Sequence, residues 1–171
     1  MNYCVQFAHA NRLLMLERIE GALQETVGAA IQFDTPINIA HNYAAEEIHF
    51  GKNVIVHRKG ATRAYPDEQG IIPGSQGTAS YIVSGKGNPE SFCSCSHGAG
   101  RKLGRKQAQR QLDLEKEKKL LEQKGIIHAL RRRKDLEEAA GAYKDIERVI
   151  NLQEDLVDIN EILQPLAVIK G

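Results

Sequence analysis

The chain has 171 residues, 42% of them hydrophobic and 26% charged, which is the size and composition of one ordinary domain with a core of its own. Aromatic residues make up 5% and Trp is absent, so the core must rest on Ile, Leu, Val and Ala. The net charge of +1 gives no bulk argument for a nucleic-acid partner.

No apolar run reaches the length of a membrane span, and the N-terminus lacks the basic-then-apolar pattern of a secretory signal. The three cysteines, Cys4, Cys93 and Cys95, are odd in number and unlike a disulfide framework, which points to a reducing compartment. A cytoplasmic protein is the expectation.

In chain order, Val5, Ala8, Leu13, Leu16, Ile19 and Leu23 recur at helical spacing and predict an amphipathic helix over residues 2–27, stopped by Gly28. From residue 29 to 91, Gly and Pro punctuate short β-branched runs. Residues 53–57 and 79–83 read as strands. Residues 91–96 alternate into a glycine-containing turn, which would place Cys93, Cys95 and His97 on one face. A long polar helix is expected over 101–123, ended by Gly125, and its Glu- and Lys-rich surface reads as a solvated face. One or two short helices are expected over 135–163. Helix, then strands, then helices indicate an α+β fold.

Four segments carry potential chemistry. In Ser96-His97-Gly98-Ala99-Gly100-Arg101 the glycines let the backbone turn and approach a ligand. A helix starting there would present free N–H groups to an anion. Arg101 and Arg105, one helical turn apart, would then contact phosphates. Within residues 101–110 five basic residues (Arg101, Lys102, Arg105, Lys106, Arg110) stand without an acid, a local phosphate-binding surface. His97 itself reads as a nucleophile toward phosphorus, as a metal ligand beside Cys93 and Cys95, or as a buried structural histidine in a turn. Spacing alone favours the last. Three ligands from one short strand do not close a tetrahedral zinc site, so the two cysteines read as buried structural thiols.

The second segment, residues 71–80, is rich in small and hydroxylated residues whose amides can cradle phosphates, although it lacks the Lys of a Walker loop. In the third, His41 is followed by Glu46, Glu47 and His49, a possible divalent-metal group. The fourth, residues 56–63, is a basic turn containing Arg58 and Lys59.

The order of these segments resembles the RtcB family of RNA-splicing ligases: His-Asn-Tyr-Ala, then Val-His-Arg-Lys-Gly-Ala-Thr, then Ile-Pro-Gly-Ser-x-Gly-Thr-x-Ser-Tyr-Ile-Val, then Ser-His-Gly-Ala-Gly-Arg. The resemblance runs to the closing Val168-Ile169-Lys170-Gly171. It implies a GTP- and manganese-dependent RNA ligase that joins RNA 3′-phosphate or 2′,3′-cyclic phosphate ends to 5′-hydroxyl ends, in tRNA splicing or RNA repair. His97 would be the guanylylated nucleophile and His41 a manganese ligand. Pro73, Gly74, Ser75, Ser80, Ala99 and Gly100 would surround the guanine nucleotide, with Tyr143 and Lys170 at the base. Arg101 and Arg105 would bind RNA phosphates. One departure is Gly104, where the family usually has Ser.

Residues 1–171 are then expected to form the C-terminal portion of such a ligase domain, with an RtcB-like, incomplete mixed sheet flanked by helices. The family's N-terminal half carries an Asp and a Cys in one motif and His and Asn in another, supplying most metal ligands. No counterpart of those motifs occurs here. The expectation is therefore that this chain alone holds manganese poorly, and that a separate N-terminal half is a possible partner. A catalytically incomplete RNA-binding remnant, using Arg58, Lys59, Arg101 and Arg105, is the alternative.

Overall fold

The computed structural model describes residues 2–28 and 36–169; Lys170, expected at the base, lies outside them. The first helix, α1, spans Asn2–Val27, and Gly28 ends it with φ of 66°, a left-handed stop that costs glycine little. Only the N-terminal part of its apolar stripe is covered. Val5, Ala8, Leu13 and Leu16 are half-buried, whereas Ile19 and Leu23 are 52% and 42% exposed. Arg12 fastens the helix by donating from Nε to Asn38 Oδ1 at 2.6 Å.

Strands β1 (Asn42–His49) and β2 (Lys52–Lys59) form an antiparallel hairpin. Phe50 and Gly51, both at positive φ, make the two-residue connection that matches strand twist. β3 (Ala61–Arg63) pairs with β6 (Ser94–Ser96), and β4 (Gln69–Ile72), β5 (Ser80–Gly85) and β8 (Val157–Leu163) form a three-stranded antiparallel sheet. β7 (Ile127–His128) and β9 (Ala167–Val168) pair in parallel. The fold is α+β, and its strands are distributed over four small open sheets among the described residues.

The main core lies between β4, β5 and β8 and the helix α4 (Ile146–Asn151): Ile72, Tyr81, Val83, Cys95, Ala99, Ile146, Ile150 and Val157 are buried together. It draws on the aliphatic residues that the composition requires, and it seats Cys95 and Ala99 on either side of His97.

Three local expectations are corrected. The helix expected over 101–123 is two helices, α2 (Arg105–Gln111) and α3 (Leu114–Gln123). Leu112 and Asp113 are extended between them, and the Asp113 side chain accepts from Lys116 N at 2.9 Å, an N-cap that starts a new helix. Arg101 precedes α2 and forms a β-bridge with Tyr143, so neither a helix N-terminus nor a shared helical face links it to Arg105. The alternation over 91–96 is a strand only from Ser94. Phe92 and Cys93 sit at φ of 53° and 47°, which turns Cys93 out of register with Cys95. Finally, 135–163 holds short 3-10 turns and α4 but closes with the strand β8, because Val157 and its successors pair with β5.

Candidate active site

His97 follows β6 directly, and the chain around it is held on three sides. Ser96 N donates to Gln153 Oε1 at 3.0 Å, and Ser96 Oγ donates to Gly98 O at 2.5 Å. Ala99 N donates to Pro73 O at 3.0 Å, joining the His-Gly-Ala-Gly turn to the Pro-Gly-Ser loop. A Cβ on Gly98 would lie 3.1 Å from that same Pro73 oxygen. On the hairpin side, Gly60 has φ of 74° and its position faces the His97 ring, with Cε1 3.4 Å from where a Cβ would stand. Gly60 N donates to His41 O at 3.0 Å. The His41 and His97 rings stack with centroids 5.2 Å apart.

Residues of the Pro-Gly-Ser loop and of the His-Gly-Ala-Gly-Arg segment meet with Tyr143 in one cleft of about 560 Å³, lined by Pro73, Gly74, Ser75 and Ser80, by His97, Ala99 and Gly100, and by Arg101, Arg105 and Tyr143. His41 and the basic turn of residues 56–63 lie outside it. Gly74 has no room for a side chain, since a Cβ would stand 2.1 Å from Ala79 O. The loop is braced from within: Ser75 N donates to Thr78 Oγ1 at 2.7 Å, and Gly74 N donates to Ser80 Oγ at 3.4 Å. Ser75 and Ser80 therefore shape the loop as well as line it. Gly98, one of the two turn glycines, also lines the cleft, as do Gln76 and Glu138, which the sequence does not single out. Gln76 sat at the variable position of the Pro-Gly-Ser-x-Gly string, and Glu138 had no motif around it. Both polar atoms of the Gln76 side chain are buried without a hydrogen-bond partner.

Arg101 is built into the wall. Its Nε donates to Leu103 O at 3.0 Å, Nη1 to Tyr143 Oη at 3.0 Å and to Glu138 Oε1 at 3.2 Å, and Nη2 to Glu137 O. Tyr143 donates its hydroxyl to Glu138 Oε2. Burial, then the Glu138 carboxylate, push the Tyr143 phenol above its ordinary pKa, so it stays a donor. Arg105 is 73% exposed and reaches Glu138 only at 3.8 Å.

The remaining sequence candidates divide. His41 lies against His97, and its pKa is lowered by desolvation, by His97 and by Arg12. Glu47 and His49 are turned away from it into a buried network, where Glu47 takes both terminal nitrogens of Arg58 at 2.5 and 3.0 Å and accepts from His49 at 2.8 Å. Arg58 is 2% exposed and also binds Tyr43, Ser94 and Phe92 O. It is thus a structural cation, unavailable for RNA phosphate. Cys95 is buried and hydrogen-bonded to Thr62 at 3.2 Å, and burial raises both cysteine thiols. Among the described residues no three His, Cys, Asp or Glu side chains gather as a metal ion requires. The described residues therefore do not fit a complete manganese site.

A cleft floored by two glycine-bearing turns, with an imidazole, a wall arginine and the exposed Arg105 at its edge, suits a phosphorylated ligand. The sequence agrees with that geometry. The family model described as tRNA-splicing ligase RtcB matches residues 1–171. The chain is 39% identical over 170 residues to the RNA-splicing ligase RtcB of Escherichia coli (strain K12), covering 96% of this chain and 41% of that protein. It is 35% identical over 196 residues to the tRNA-splicing ligase RtcB of Thermococcus kodakarensis, covering 100% of this chain and 41% of the relative. The Mycobacterium tuberculosis RNA-splicing ligase RtcB is 36% identical over 192 residues, with 100% and 44% covered. The chain thus spans well under half the length of these relatives, and it belongs to the RtcB family of tRNA-splicing ligases.

Proposed function

We propose that this chain is the nucleotide-handling portion of a GTP-dependent RNA ligase, with His97 as the nucleophile that carries the guanylyl group. The observation that supports it most is the meeting of His97, the Pro73–Ser75 loop, Ser80, Ala99, Gly100, Arg101, Arg105 and Tyr143 in a single cleft. In this reading a His97 ring nitrogen forms a bond to the α-phosphorus of GTP and pyrophosphate leaves. An RNA 3′-phosphate oxygen then takes the guanylyl group, freeing the imidazole. The 5′-hydroxyl oxygen of the second RNA end attacks the activated phosphate and GMP leaves.

The chain's own residues would act by position. The Pro73–Ser75 turn and the Gly98–Gly100 turn bring backbone close to the ligand, and Tyr143 gives the cleft an aromatic face. Arg105 supplies positive charge where phosphate charge accumulates. By the family motif His41 would contribute one ligand to manganese, which would supply Lewis-acid assistance when bound. The remaining ligands would come from a polypeptide corresponding to the rest of the relatives' length. The chain alone is then a binder of guanine nucleotide that does not complete ligation.

Fluorescence titration of the whole chain with a fluorescent GTP analogue, competed by GTP and by ATP, tests the binding step. Saturable binding that GTP displaces better than ATP is the expected result, and no binding overturns the reading. Incubation with radiolabelled GTP and manganese tests the chemistry. A covalent GMP adduct is expected only when the complementary polypeptide is supplied, and it should disappear in His97→Ala. Robust labelling of the chain by itself would overturn the claim that its metal set is incomplete. The remnant reading is favoured if RNA binding is salt-sensitive while GTP is not bound at all.

A further inference from the structure

The wall beside His97 contains a carboxylate, Glu138, in a cleft whose other charged side chains are Arg101 and Arg105. Glu138 is shared unequally between two arginines. Arg101 is tied to it at 3.2 Å and fixed by Leu103 O, Glu137 O and Tyr143. Arg105 stands 3.8 Å away, too far for a hydrogen bond, with its side chain 73% exposed. The first arrangement is a hydrogen-bonded lattice. The second is a loose ion pair of the kind that solvent screens and that little holds in place.

From this asymmetry we infer that Glu138 is a specificity-determining residue: a built-in competitor anion that Arg105 abandons only for a ligand of higher negative charge. Arg101 keeps its protein partners and stays in the wall. Arg105 swings to the ligand, and a singly charged carboxylate remains behind to repel anions that cannot outbid it. A triphosphate gains more from Arg105 than it loses to the carboxylate. Inorganic phosphate, with less charge and fewer oxygens, does not. The cleft would thereby favour polyphosphates and polyanions over the monophosphates that surround them.

This inference rests on the reading of the cleft as a phosphate-binding site, and the test separates the two. The probes are sodium tripolyphosphate and inorganic phosphate, titrated calorimetrically into the whole chain at low and high salt. The wild-type chain is expected to bind tripolyphosphate and to bind phosphate far more weakly. If it binds neither, the reading of the cleft itself fails. Glu138→Gln removes the charge and keeps one side-chain oxygen for Arg101, while its amide NH2 can donate to the Tyr143 hydroxyl in place of Oε2. It is expected to tighten phosphate binding by about two- to fivefold, the range an exposed ion pair is worth, more than it tightens tripolyphosphate, and the gain should fade at high salt. In an Arg105→Gln background, an exposed change that leaves the wall intact, most of that gain should vanish. Weaker or unchanged phosphate binding in Glu138→Gln, with a cooperative melt showing that it is folded, overturns the competitor role. A gain of equal size without Arg105 overturns it too.

Discussion

The imidazole rings of His41 and His97 stack with centroids 5.2 Å apart and planes 19° from parallel, although 55 residues separate them in the chain. The contact is made by the Gly60 turn, which receives the His41 carbonyl and passes beside the His97 ring. Two rings this close resist being charged together. His41 accordingly has its pKa lowered by desolvation first, then by His97 and Arg12.

That lowering has a direct test. In proton NMR titrations the His41 resonance should titrate below the ordinary value of 6.5, and His97→Ala should move it upward. A lowered pKa means that the unfolded chain takes up the proton more readily. The His41 contribution to stability is therefore present above pH 6.5 and is lost as the pH falls below it. An unchanged His41 titration in His97→Ala would contradict the stacked arrangement.

Glycines at two positions should be irreplaceable for different reasons. At Gly74 a Cβ would stand 2.1 Å from Ala79 O, so Gly74→Ala must distort the loop and is expected to cost about 1–3 kcal/mol. At Gly60 the space is adequate but φ is 74°, so Gly60→Ala should cost about 1–2 kcal/mol. Chemical denaturation measures both. Affinity for the fluorescent nucleotide should fall more for Gly74→Ala, since only that loop lines the cleft.

The Glu47–Arg58 pair supports the hairpin against the turn that leads to β6. Both side chains are largely buried, at 7% and 1% exposure. Arg58→Met should therefore leave Glu47 uncompensated and cost about 3–5 kcal/mol. The Arg58 guanidinium beside it holds the Glu47 carboxyl down from 4.5 to about 2. With the folded pKa depressed, this stabilisation is complete above pH 4.5 and is lost as the pH falls toward about 2. Acid unfolding followed by circular dichroism should show that loss, and Glu47→Gln should flatten the stability curve over the same window.

Helix α1 displays Phe7, Met15, Ile19 and Leu23 at 65%, 54%, 52% and 42% exposure. An apolar surface of this kind promotes self-association in a lone chain. Replacing Ile19 and Leu23 with Lys should raise solubility while shifting unfolding by about 0.5 kcal/mol or less. Light scattering and thermal melts measure the two effects separately.

Much of the fold was legible because it is written locally. The 3.6-residue periodicity and Gly28 set both ends of α1, and β-branched runs marked β2 and β5. The break at Asp113 carried its own N-cap but was masked by helix-forming residues on either side. β8 was missed because its pairing with β5 lies some 75 residues away in sequence, a partnership that no local pattern encodes.

For the site, the sequence by itself determined the cast: His97 between small residues, the glycine-bearing Pro73–Ser75 loop and, through the family resemblance, Tyr143. Residue identity is covalent and stays with the chain however it folds, whereas the want of space at Gly74 arises only where the folded loop brings Ala79 O against it. Tertiary structure alone decided which charges are free. Arg58 and Arg105 are chemically identical in the sequence, yet one is sealed against Glu47 and the other stands in solvent. Glu138, without any motif, became the neighbour of both cleft arginines. Charge availability depends on desolvation and on partners brought from distant segments, and those exist only once the chain has folded.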